Sequence, residues 1–516
     1  MAANHLPNFQ DQTKIEPMSA LTLAFTLFLG AAVRLVHVIN LDFPLNDGGP
    51  FYQMILDIKN AGYALPSLTT YNLNQIPFAY PPLAFYAGAF LSDGLDWPVL
   101  DIIRILPAII SILTIPAFFL LSRRILNSTR QVLLATMAFS FLPTSFDWLI
   151  VGGGLTRSFG YLFAILTLWQ VHALYTTERK RPIWLTILFA SLTILSHPGT
   201  SWFTFYCTAV ILAFHRKESK NWLLKSLWVI IGVLILTAPW WLTNISRHGP
   251  GVLTDPFQTE AYSLASFLTP FTFLFTNEPM LDILAVCGLL GVLTSLSNRS
   301  FFLPAWLLSI FLFEARLGAT YSVLPMALLV GVGVDQGIWP LISPSDGKLK
   351  DKWARILPII TAFYLGFYVI LNAYLGITYQ SVTSEEIKTM QWIADNTPET
   401  SKFIILSGTS QYGIDHISEW FPALSQRTSL TTPQAHEWLP DREFTRRVDL
   451  HAELQELYLT CSDADLDCIQ AWAQGAGLPY SHIYIPPPLP NWLTPGSQPA
   501  YEILYDSPGG LVLRRK

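Results

Sequence analysis

Apolar stretches of about twenty residues recur from about residue 18 to about residue 376, after which the chain becomes polar. A helix needs about 20 mostly apolar residues to cross a bilayer. The pattern therefore predicts a mainly α-helical, polytopic membrane protein: a cytoplasmic tail over 1–17, a transmembrane domain over 18–376 and an α/β domain over 377–516. About eleven spans are expected, the fifth, sixth and ninth of them short: 18–38, 100–121, 131–149, 156–175, 183–197, 199–214, 222–243, 281–296, 301–315, 319–340 and 353–376.

Two further apolar runs are predicted to be helices that lie in the membrane interface. The run 80–91 is about twelve residues long, too short to cross about 30 Å of hydrocarbon. The run 262–276 is interrupted by Pro270, and counting it as a span would invert the charge pattern of the later loops. Neither an arginine-rich leader nor a small-residue cleavage site precedes the first span, so we expect that span to be retained.

Lysine and arginine residues concentrate in alternate loops, which predicts the orientation of the chain. With the N-terminus in the cytoplasm, the cytoplasmic loops hold Arg123, Arg124, Arg130, Arg179, Lys180, Arg181, Arg216, Lys217, Lys220, Lys225, Arg299, Lys348, Lys350, Lys352 and Arg355. The opposite face keeps Arg34, Lys59, Arg104, Arg157, Arg247 and Arg316. An odd number of spans places the C-terminal domain outside the cytoplasm, and the short loops favour a prokaryotic plasma membrane.

The composition excludes two other classes of protein. Hydrophobic residues make up 51% and charged residues 13%, with a mean hydropathy of +0.39, so a soluble protein with a single core is excluded. The net charge of −5 does not suggest nucleic-acid binding. Cys207 and Cys287 lie in predicted spans as packing residues. Cys461 and Cys468 lie in the C-terminal domain, where the sequence fits either a disulfide or two free thiols.

The C-terminal domain combines one clear helix with short strands. Ile387, Met390 and Ile393 follow a helical spacing, and we expect Ser384 to cap that helix. The predicted strands lie within 402–408, 481–488, 501–507 and 510–516. The domain has neither a glycine-rich nucleotide-binding fingerprint nor a nucleophile elbow. A folded cap over the membrane domain and a module that recognises the acceptor therefore both stay open.

The first external loop, 39–99, is longer than a simple connection between spans needs to be, which suggests that it carries chemistry. Asp47 lies there in Asn-Asp-Gly-Gly, at the predicted start of a helix. Because aspartate is a preferred N-cap residue, Asp47 is either a helix cap or a reactive carboxylate. Tyr80 opens a Tyr-Pro-Pro-Leu corner that either breaks a helix or shapes a site.

Further candidates on the same predicted face are Asp147, Arg157, His197 and Arg316. Ionisable groups at a membrane edge are costly unless they are paired, which makes them functional candidates. Each also has a structural explanation. Arg157 could anchor the start of a span, His197 could satisfy the end of a helix, and Glu314 could pair with Arg316. Their shared face with Asp47 favours a common site.

Together, several motifs resemble those of the GT-C lipid-dependent glycosyltransferases, above all the branch of protein O-mannosyltransferases and aminoarabinose transferases. The motifs are Asp47 in the first loop, Tyr80-Pro81-Pro82-Leu83, and Ser122-Arg123-Arg124 at the end of a span. Arg316, with Tyr321 and Leu324-Pro325, is similar to a looser version of the Arg-Tyr-x-Leu-Pro segment of that branch. The resemblance covers the membrane domain to about residue 376.

The resemblance implies an enzyme that passes a sugar from a polyprenyl-phosphate carrier to an acceptor hydroxyl or amine, with inversion, on the non-cytoplasmic face. It implies that Asp47 acts as general base or orients the acceptor, and that Arg316 binds the donor phosphate, whose developing charge an arginine stabilises well. The other expected contacts are Arg157 for the donor phosphate and Tyr80, His197 and Asp147 for the substrate. The expected partners are the lipid-linked donor, a glycan, lipid or protein acceptor, and the bilayer.

Two segments depart from that branch. Glutamate commonly follows the loop aspartate there, whereas Gly48 follows it here, and a second loop aspartate of many relatives is replaced by the segment 153–157, Gly-Gly-Leu-Thr-Arg. With few carboxylates to serve as ligands, no metal or other cofactor is expected, and metal dependence is left open. The sequence also fits a transporter or flippase of lipid-linked sugars, although no internal repeat is found. A membrane-anchored binding or assembly protein is the third class.

Overall fold

The computed structural model describes residues 17–177, 181–256, 276–278, 282–314, 318–342, 363–364, 367–368, 370–371, 379–461, 466–489 and 500–516. Helices make up most of the described chain up to residue 342. A five-stranded sheet lies in the described residues from 379 onward, which we refer to as the C-terminal region.

Helices occupy ten of the eleven predicted spans in the described part of the chain. In chain order the helices are α1 (Pro17–Ile39), α2 (Gly49–Asn60), α3 (Leu83–Leu95), α4 (Val99–Ile125), α5 (Thr129–Phe141), α6 (Gly154–Thr176), α7 (Arg181–Ile194), α8 (Pro198–His215), α9 (Trp222–His248), α10 (Ile283–Ser297), α11 (Phe302–Phe313), α12 (Gly318–Val332) and α13 (Trp339–Ile342), the last two joined by the π-helical turn Gly333–Ile338. The predicted span 353–376 and the predicted interfacial run 262–276 lie largely outside the described residues.

Among the described residues, four helices are long and apolar enough to cross a bilayer: α1, α4, α9 and the continuous run Gly318–Leu341. The helices α3, α7, α10 and α11 are apolar but shorter. On α9, large apolar side chains such as Trp228 and Ile235 are more than half exposed. An apolar surface of this kind suits contact with lipid rather than with water. The total of eleven spans stays a prediction.

The third predicted span ends earlier than the hydrophobic pattern suggested. Helix α5 stops at Phe141, and the chain then turns through the 3₁₀ segment Pro143–Ser145. Pro143 has no N–H for the helix, and it forces the preceding Leu142 into an extended conformation. Asp147 therefore lies in a loop and not at the end of a helix.

Helix α6 is central to the membrane domain, since it packs against α4, α7 and α8, while α12 packs against α5 and α10. The first loop folds over one end of this bundle. Its helices α2 and α3 are joined by a short antiparallel ribbon of β1 (Leu68–Thr69) and β2 (Ile76–Pro77). The predicted interfacial helix of this loop begins at Leu83, after the two prolines, and ends at Leu95.

The four strands predicted in the C-terminal region are present: β3 (Lys402–Ile405), β5 (His482–Ile485), β6 (Tyr501–Ser507) and β7 (Gly510–Arg515). A fifth, the short β4 (Thr428–Ser429), was not predicted. The order is β4-β3-β5-β7-β6, with β3 parallel to β4 and β5, and β7 antiparallel to β5 and β6. The helices of this region are α14 (Ser384–Asn396), α15 (His416–Ser425), α16 (Glu443–Thr460) and α17 (Asp467–Gly475).

Two local expectations in the C-terminal region are decided by the structure. The cap of α14 is Thr383 and not Ser384. Thr383 accepts a hydrogen bond from the backbone of Glu386, whose side chain accepts one in return, forming a capping box. Cys461 and Cys468 are joined as a disulfide.

Candidate functional site

Asp47 does not cap the helix that follows it. The N-cap position of α2 is Gly48, and no side chain bonds to that end of the helix. The Asp47 carboxylate points instead at the start of α6. Its Oδ1 accepts a hydrogen bond from the backbone nitrogen of Gly153 at 2.7 Å, and its Oδ2 accepts one from Arg157 Nη2 at 2.5 Å. The helix-cap explanation of Asp47 is therefore wrong.

Glycines at the start of α6 make this close approach possible. A Cβ on Gly152 would lie 1.8 Å from the carbonyl oxygen of Asp47, and one on Gly153 would lie 2.2 Å from Asp47 Oδ2. The backbone nitrogen of Gly152 also donates to the carbonyl of Leu45 at 2.9 Å. In the segment that lacks a second aspartate, the glycines thus leave the space in which the first loop packs against the start of α6.

Arg157 bonds to the first loop and so does more than anchor the start of a span. Besides Asp47, it donates from Nη1 to the carbonyl of Trp148 at 3.1 Å, and its guanidinium lies 5.7 Å from the centre of the Trp148 ring. The side chains of Arg157 and Asp47 are 19% and 16% exposed. A charged pair that is mostly removed from water is held more tightly than a surface pair, and it still has an open side from which a substrate could approach.

From the C-terminal region, Glu419 and Trp420 of α15 contact this loop directly. Glu419 Oε1 accepts a hydrogen bond from the backbone nitrogen of Gly48 at 2.8 Å. Trp420 Nε1 donates to the carbonyl of Asn46 at 3.0 Å, and the indole is fully buried. These contacts flank Asp47 on both sides along the chain. They join residues more than 350 positions apart, so the sequence offered no local signal for them.

Burial raises the pKa of Glu419 above the ordinary carboxyl range, and the negative charge of Asp47 raises it further. The Gly48 N–H and the positive charge of Arg157 act in the opposite direction. Charges from the first loop and from the start of α6 therefore act on the protonation of Glu419 in α15.

Tyr80 forms an aromatic wall beside the ion pair. Its hydroxyl is hydrogen bonded to the hydroxyl of Thr156 at 3.1 Å, and Thr156 directly precedes Arg157 in the chain. Its ring centre lies 5.1 Å from Phe51 and 5.5 Å from Trp438 of the C-terminal region. Burial raises the pKa of Tyr80 to about 12, so the phenol stays protonated at neutral pH. The Tyr-Pro-Pro corner therefore does more than break a helix.

The other predicted site residues have different surroundings. His197 caps α8, because its Nδ1 accepts a hydrogen bond from the backbone of Thr200 at 3.1 Å, and its ring centre lies 6.3 Å from Tyr80. The structural explanation of His197 is thus confirmed. Asp147 contacts Tyr379, whose hydroxyl donates to its Oδ1 at 3.3 Å, and its described contacts do not include Asp47. Arg316 lies outside the described residues.

Among the residues that the structure describes, no group of three or more histidine, cysteine, aspartate or glutamate side chains could hold a metal ion. The site is instead one aspartate–arginine pair with a nearby glutamate and an aromatic wall. Such a set can accept a proton, bind an anion and stack against an apolar or sugar surface. A metal-free reaction stays a prediction.

Comparison with known proteins gives no match to a family model or to a curated protein. Solved structures do match. The apo Archaeoglobus fulgidus oligosaccharyltransferase is 12% identical, with 90% of this chain and 69% of that chain covered and a TM-score of 0.59. ArnT from Cupriavidus metallidurans, solved bound to undecaprenyl phosphate, is 13% identical, with coverage of 96% and 97% and a TM-score of 0.57.

A third match is the arabinofuranosyltransferase AftD from Mycobacteria, 15% identical with a TM-score of 0.58. This chain is covered over 97% of its length but spans only 40% of AftD. At such identities a structural likeness establishes the fold alone. The fold that the motifs of the membrane domain led us to expect is confirmed: this chain has the fold of the GT-C membrane glycosyltransferases.

Proposed function

We propose that the chain is a membrane glycosyltransferase that moves a sugar from a polyprenyl-phosphate-linked donor to an acceptor on the non-cytoplasmic face, with inversion. The observation that carries this proposal is the Asp47 carboxylate, held by Arg157 and Gly153 in the first loop of a GT-C fold. Structural neighbours solved with undecaprenyl phosphate and with a dolichol phosphate add support for a donor of this class.

The proposed reaction is a single displacement at the anomeric carbon. The acceptor hydroxyl or amine attacks that carbon as the bond to the carrier phosphate breaks, and the electron pair of that bond leaves with the polyprenyl phosphate. Asp47 takes the proton that the acceptor loses, which requires it to lie within hydrogen-bonding reach of the acceptor. Attack from the face opposite the phosphate inverts the configuration.

Arg157 links the two halves of this reaction. In the free protein its Nη2 serves Asp47 and its Nη1 serves the carbonyl of Trp148. A phosphate that approaches Arg157 competes with Asp47 for the guanidinium, because both are anions. Donor binding would thereby loosen the ion pair and free the carboxylate to receive a proton. Arg316 is proposed as a second phosphate ligand on the strength of the motif resemblance alone.

The test is the release of polyprenyl phosphate by purified protein in lipid nanodiscs. Labelled undecaprenyl-phosphate-linked hexoses and pentoses are offered with a panel of lipid, glycan and peptide acceptors. We expect Asp47→Asn to reduce release by about 10³-fold or more, the usual scale for loss of a positioned base. Asp42→Asn is the matched control, since Asp42 is exposed in the same loop. Normal turnover in Asp47→Asn would exclude Asp47 as the base.

If thermal unfolding showed that the protein is folded, and it still turned over no donor, the transport or binding alternatives would be favoured. The proposed sidedness has its own test. A cysteine placed at the exposed Asp42 should react with a membrane-impermeant maleimide in intact cells, because residues 39–99 are expected outside the cytoplasm. Labelling only after permeabilisation would reverse the orientation. The two native thiols that are not in the disulfide, Cys207 and Cys287, are buried and give a low background.

A further inference from the structure

We propose that Glu419 is a positioning residue of the glycosyl-transfer site: from the C-terminal region, it holds the peptide that joins Asp47 to Gly48. The base would then be in place only while the C-terminal region is docked on the first loop. This inference rests on the proposed function, and it makes the C-terminal region part of the catalytic unit rather than a separate cap.

Glu419 holds the turn that carries Asp47. The backbone nitrogen of Gly48 belongs to the same peptide as the carbonyl of Asp47, and it donates to Glu419 Oε1 at 2.8 Å. Gly48 has a φ of 129°, a region that residues with a side chain rarely adopt. A peptide held in this conformation by one buried carboxylate sets the direction in which the Asp47 side chain leaves the backbone.

Docking of the C-terminal region on the first loop does not itself need the Glu419 carboxylate. The hydroxyl of Tyr71 donates to the backbone carbonyl of Glu419 at 2.7 Å. Asn72 and Ser429 exchange two hydrogen bonds, at 3.0 and 2.6 Å. Trp420 adds its bond to Asn46. The interface between loop and C-terminal region would therefore persist with a neutral side chain at position 419.

The hydrogen bond to Gly48 does not by itself require an acid at position 419. Glu419 is only 7% exposed, and burying an ionisable carboxylate is costly. A glutamine would accept the same hydrogen bond from Gly48 without that cost. The charged and titratable groups that face Glu419 are Asp47, Arg157, Glu437 and Tyr71. Two of these are carboxylates, so an ionised Glu419 would repel them, and a protonated one would not.

The two roles of Glu419, as acceptor and as acid, can be separated by two substitutions. Glu419→Gln keeps the acceptor for the Gly48 N–H and removes the titration. Glu419→Ala removes both. The control is Glu502→Gln, because Glu502 is 47% exposed and pairs with Arg514 on the outer strands of the sheet.

The structural readout is hydrogen exchange in the peptide covering residues 43–52. We expect Glu419→Ala to speed exchange of the Gly48 amide by about tenfold or more, the effect of losing one buried hydrogen bond. Exchange in β6 should not change, because β6 is an edge strand of the sheet and pairs with β7. Exchange in Glu419→Gln and Glu502→Gln should match the unmodified protein. Unchanged exchange in Glu419→Ala would overturn the inference.

The functional readout is the pH profile of polyprenyl-phosphate release. We expect Glu419→Ala to lower kcat by about 10-fold to 10²-fold, on the scale of a misplaced catalytic group. We expect kcat of the unmodified protein to decline at higher pH, as Glu419 ionises and repels Asp47. Glu419→Gln should keep kcat near neutral pH and should not show that decline. An identical profile in Glu419→Gln and the unmodified protein would refute the role of the acid.

The two readouts also separate this inference from the proposed function. If the unmodified protein released no carrier phosphate while Glu419→Ala still loosened the turn at Gly48, the proposed function would fail and the positioning would stand. If release were robust but Glu419→Ala changed neither exchange nor kcat, the enzyme would stand and the positioning would fail.

Discussion

Gly153→Ala should disable the site while leaving the protein folded. The substitution adds a single carbon at the start of α6, where the backbone of Gly153 donates to the Asp47 carboxylate. That carbon would lie 2.2 Å from Asp47 Oδ2 and 2.7 Å from Arg157 Nη2. It therefore acts on the ion pair without changing the charge or the identity of either partner.

The size of the effect follows from these distances. Ordinary van der Waals contact begins near 3.4 Å, so the carboxylate must move by about 1.2 Å, and a displacement of about 1 Å at a catalytic group costs about 10²-fold in rate. A factor of 10² corresponds to about 2.7 kcal/mol of transition-state stabilisation. Loss of the hydrogen bond from Gly153 to the charged Asp47 is on the same scale, about 1.5–3 kcal/mol.

The assay is the release of carrier phosphate, with kcat and KM for the donor measured separately. Gly94→Ala is the matched control, since a Cβ on Gly94 meets nothing within 4 Å and the residue lies in α3. We expect a loss of about 10²-fold in kcat for Gly153→Ala and no loss for Gly94→Ala. Turnover of Gly153→Ala within about threefold of the unmodified protein would show that the position of Asp47 is not set by this contact.

Three further predictions address pH and stability. Burial raises the pKa of Glu419, so its contribution to stability is fully present below the ordinary carboxyl pKa of 4.5 and is lost as the pH rises through the raised pKa. Tm measured by thermal unfolding should therefore fall over that pH range. The fall should be smaller in Glu419→Gln, which does not titrate. Arg34→Met should lower stability in detergent by about 2–4 kcal/mol, because this fully buried guanidinium satisfies hydroxyl and carbonyl oxygens of neighbouring elements. Thr383→Ala should cost about 1 kcal/mol by thermal unfolding, and Ser384→Ala much less, since Thr383 is the cap.

The hydrophobic pattern predicted the helices well because burial and lipid contact act on every turn of a long segment. It failed at the end of α5, where apolar residues continue past Phe141 but Pro143 stops the helix. Hydropathy measures the preference for an apolar environment and carries no information about backbone hydrogen bonds. The residue-level signal was present in the proline, and it was outweighed by the apolar run around it.

The charge pattern predicted that Asp47 and Arg157 share a face of the membrane, but not that they are in contact. The predicted orientation put Asp47 and Arg157 on one face, and the structure brings these two into contact across 110 residues of chain. The same reasoning grouped Asp147 with them, although Asp147 contacts Tyr379 instead. Sharing a face limits where a side chain can be along the membrane normal, but the lateral position depends on how the helices pack, which no single sequence reveals.

The two glycines after Asp47 allow close packing against distant parts of the chain, which the sequence alone did not predict. A Cβ on Gly49 would lie 2.5 Å from the backbone carbonyl of Glu419, and one on Gly48 would lie 3.1 Å from Gly152 and from the Trp420 ring. A glutamate after the loop aspartate, as the resembling branch commonly has, would therefore push the C-terminal region away from the loop. The carboxylate beside Asp47 comes instead from Glu419, which accepts a hydrogen bond from the backbone nitrogen of Gly48. Because a side chain at position 48 would meet Gly152 and the Trp420 ring, an acid there should weaken the bond between Trp420 and Asn46 whichever residue stands at position 419.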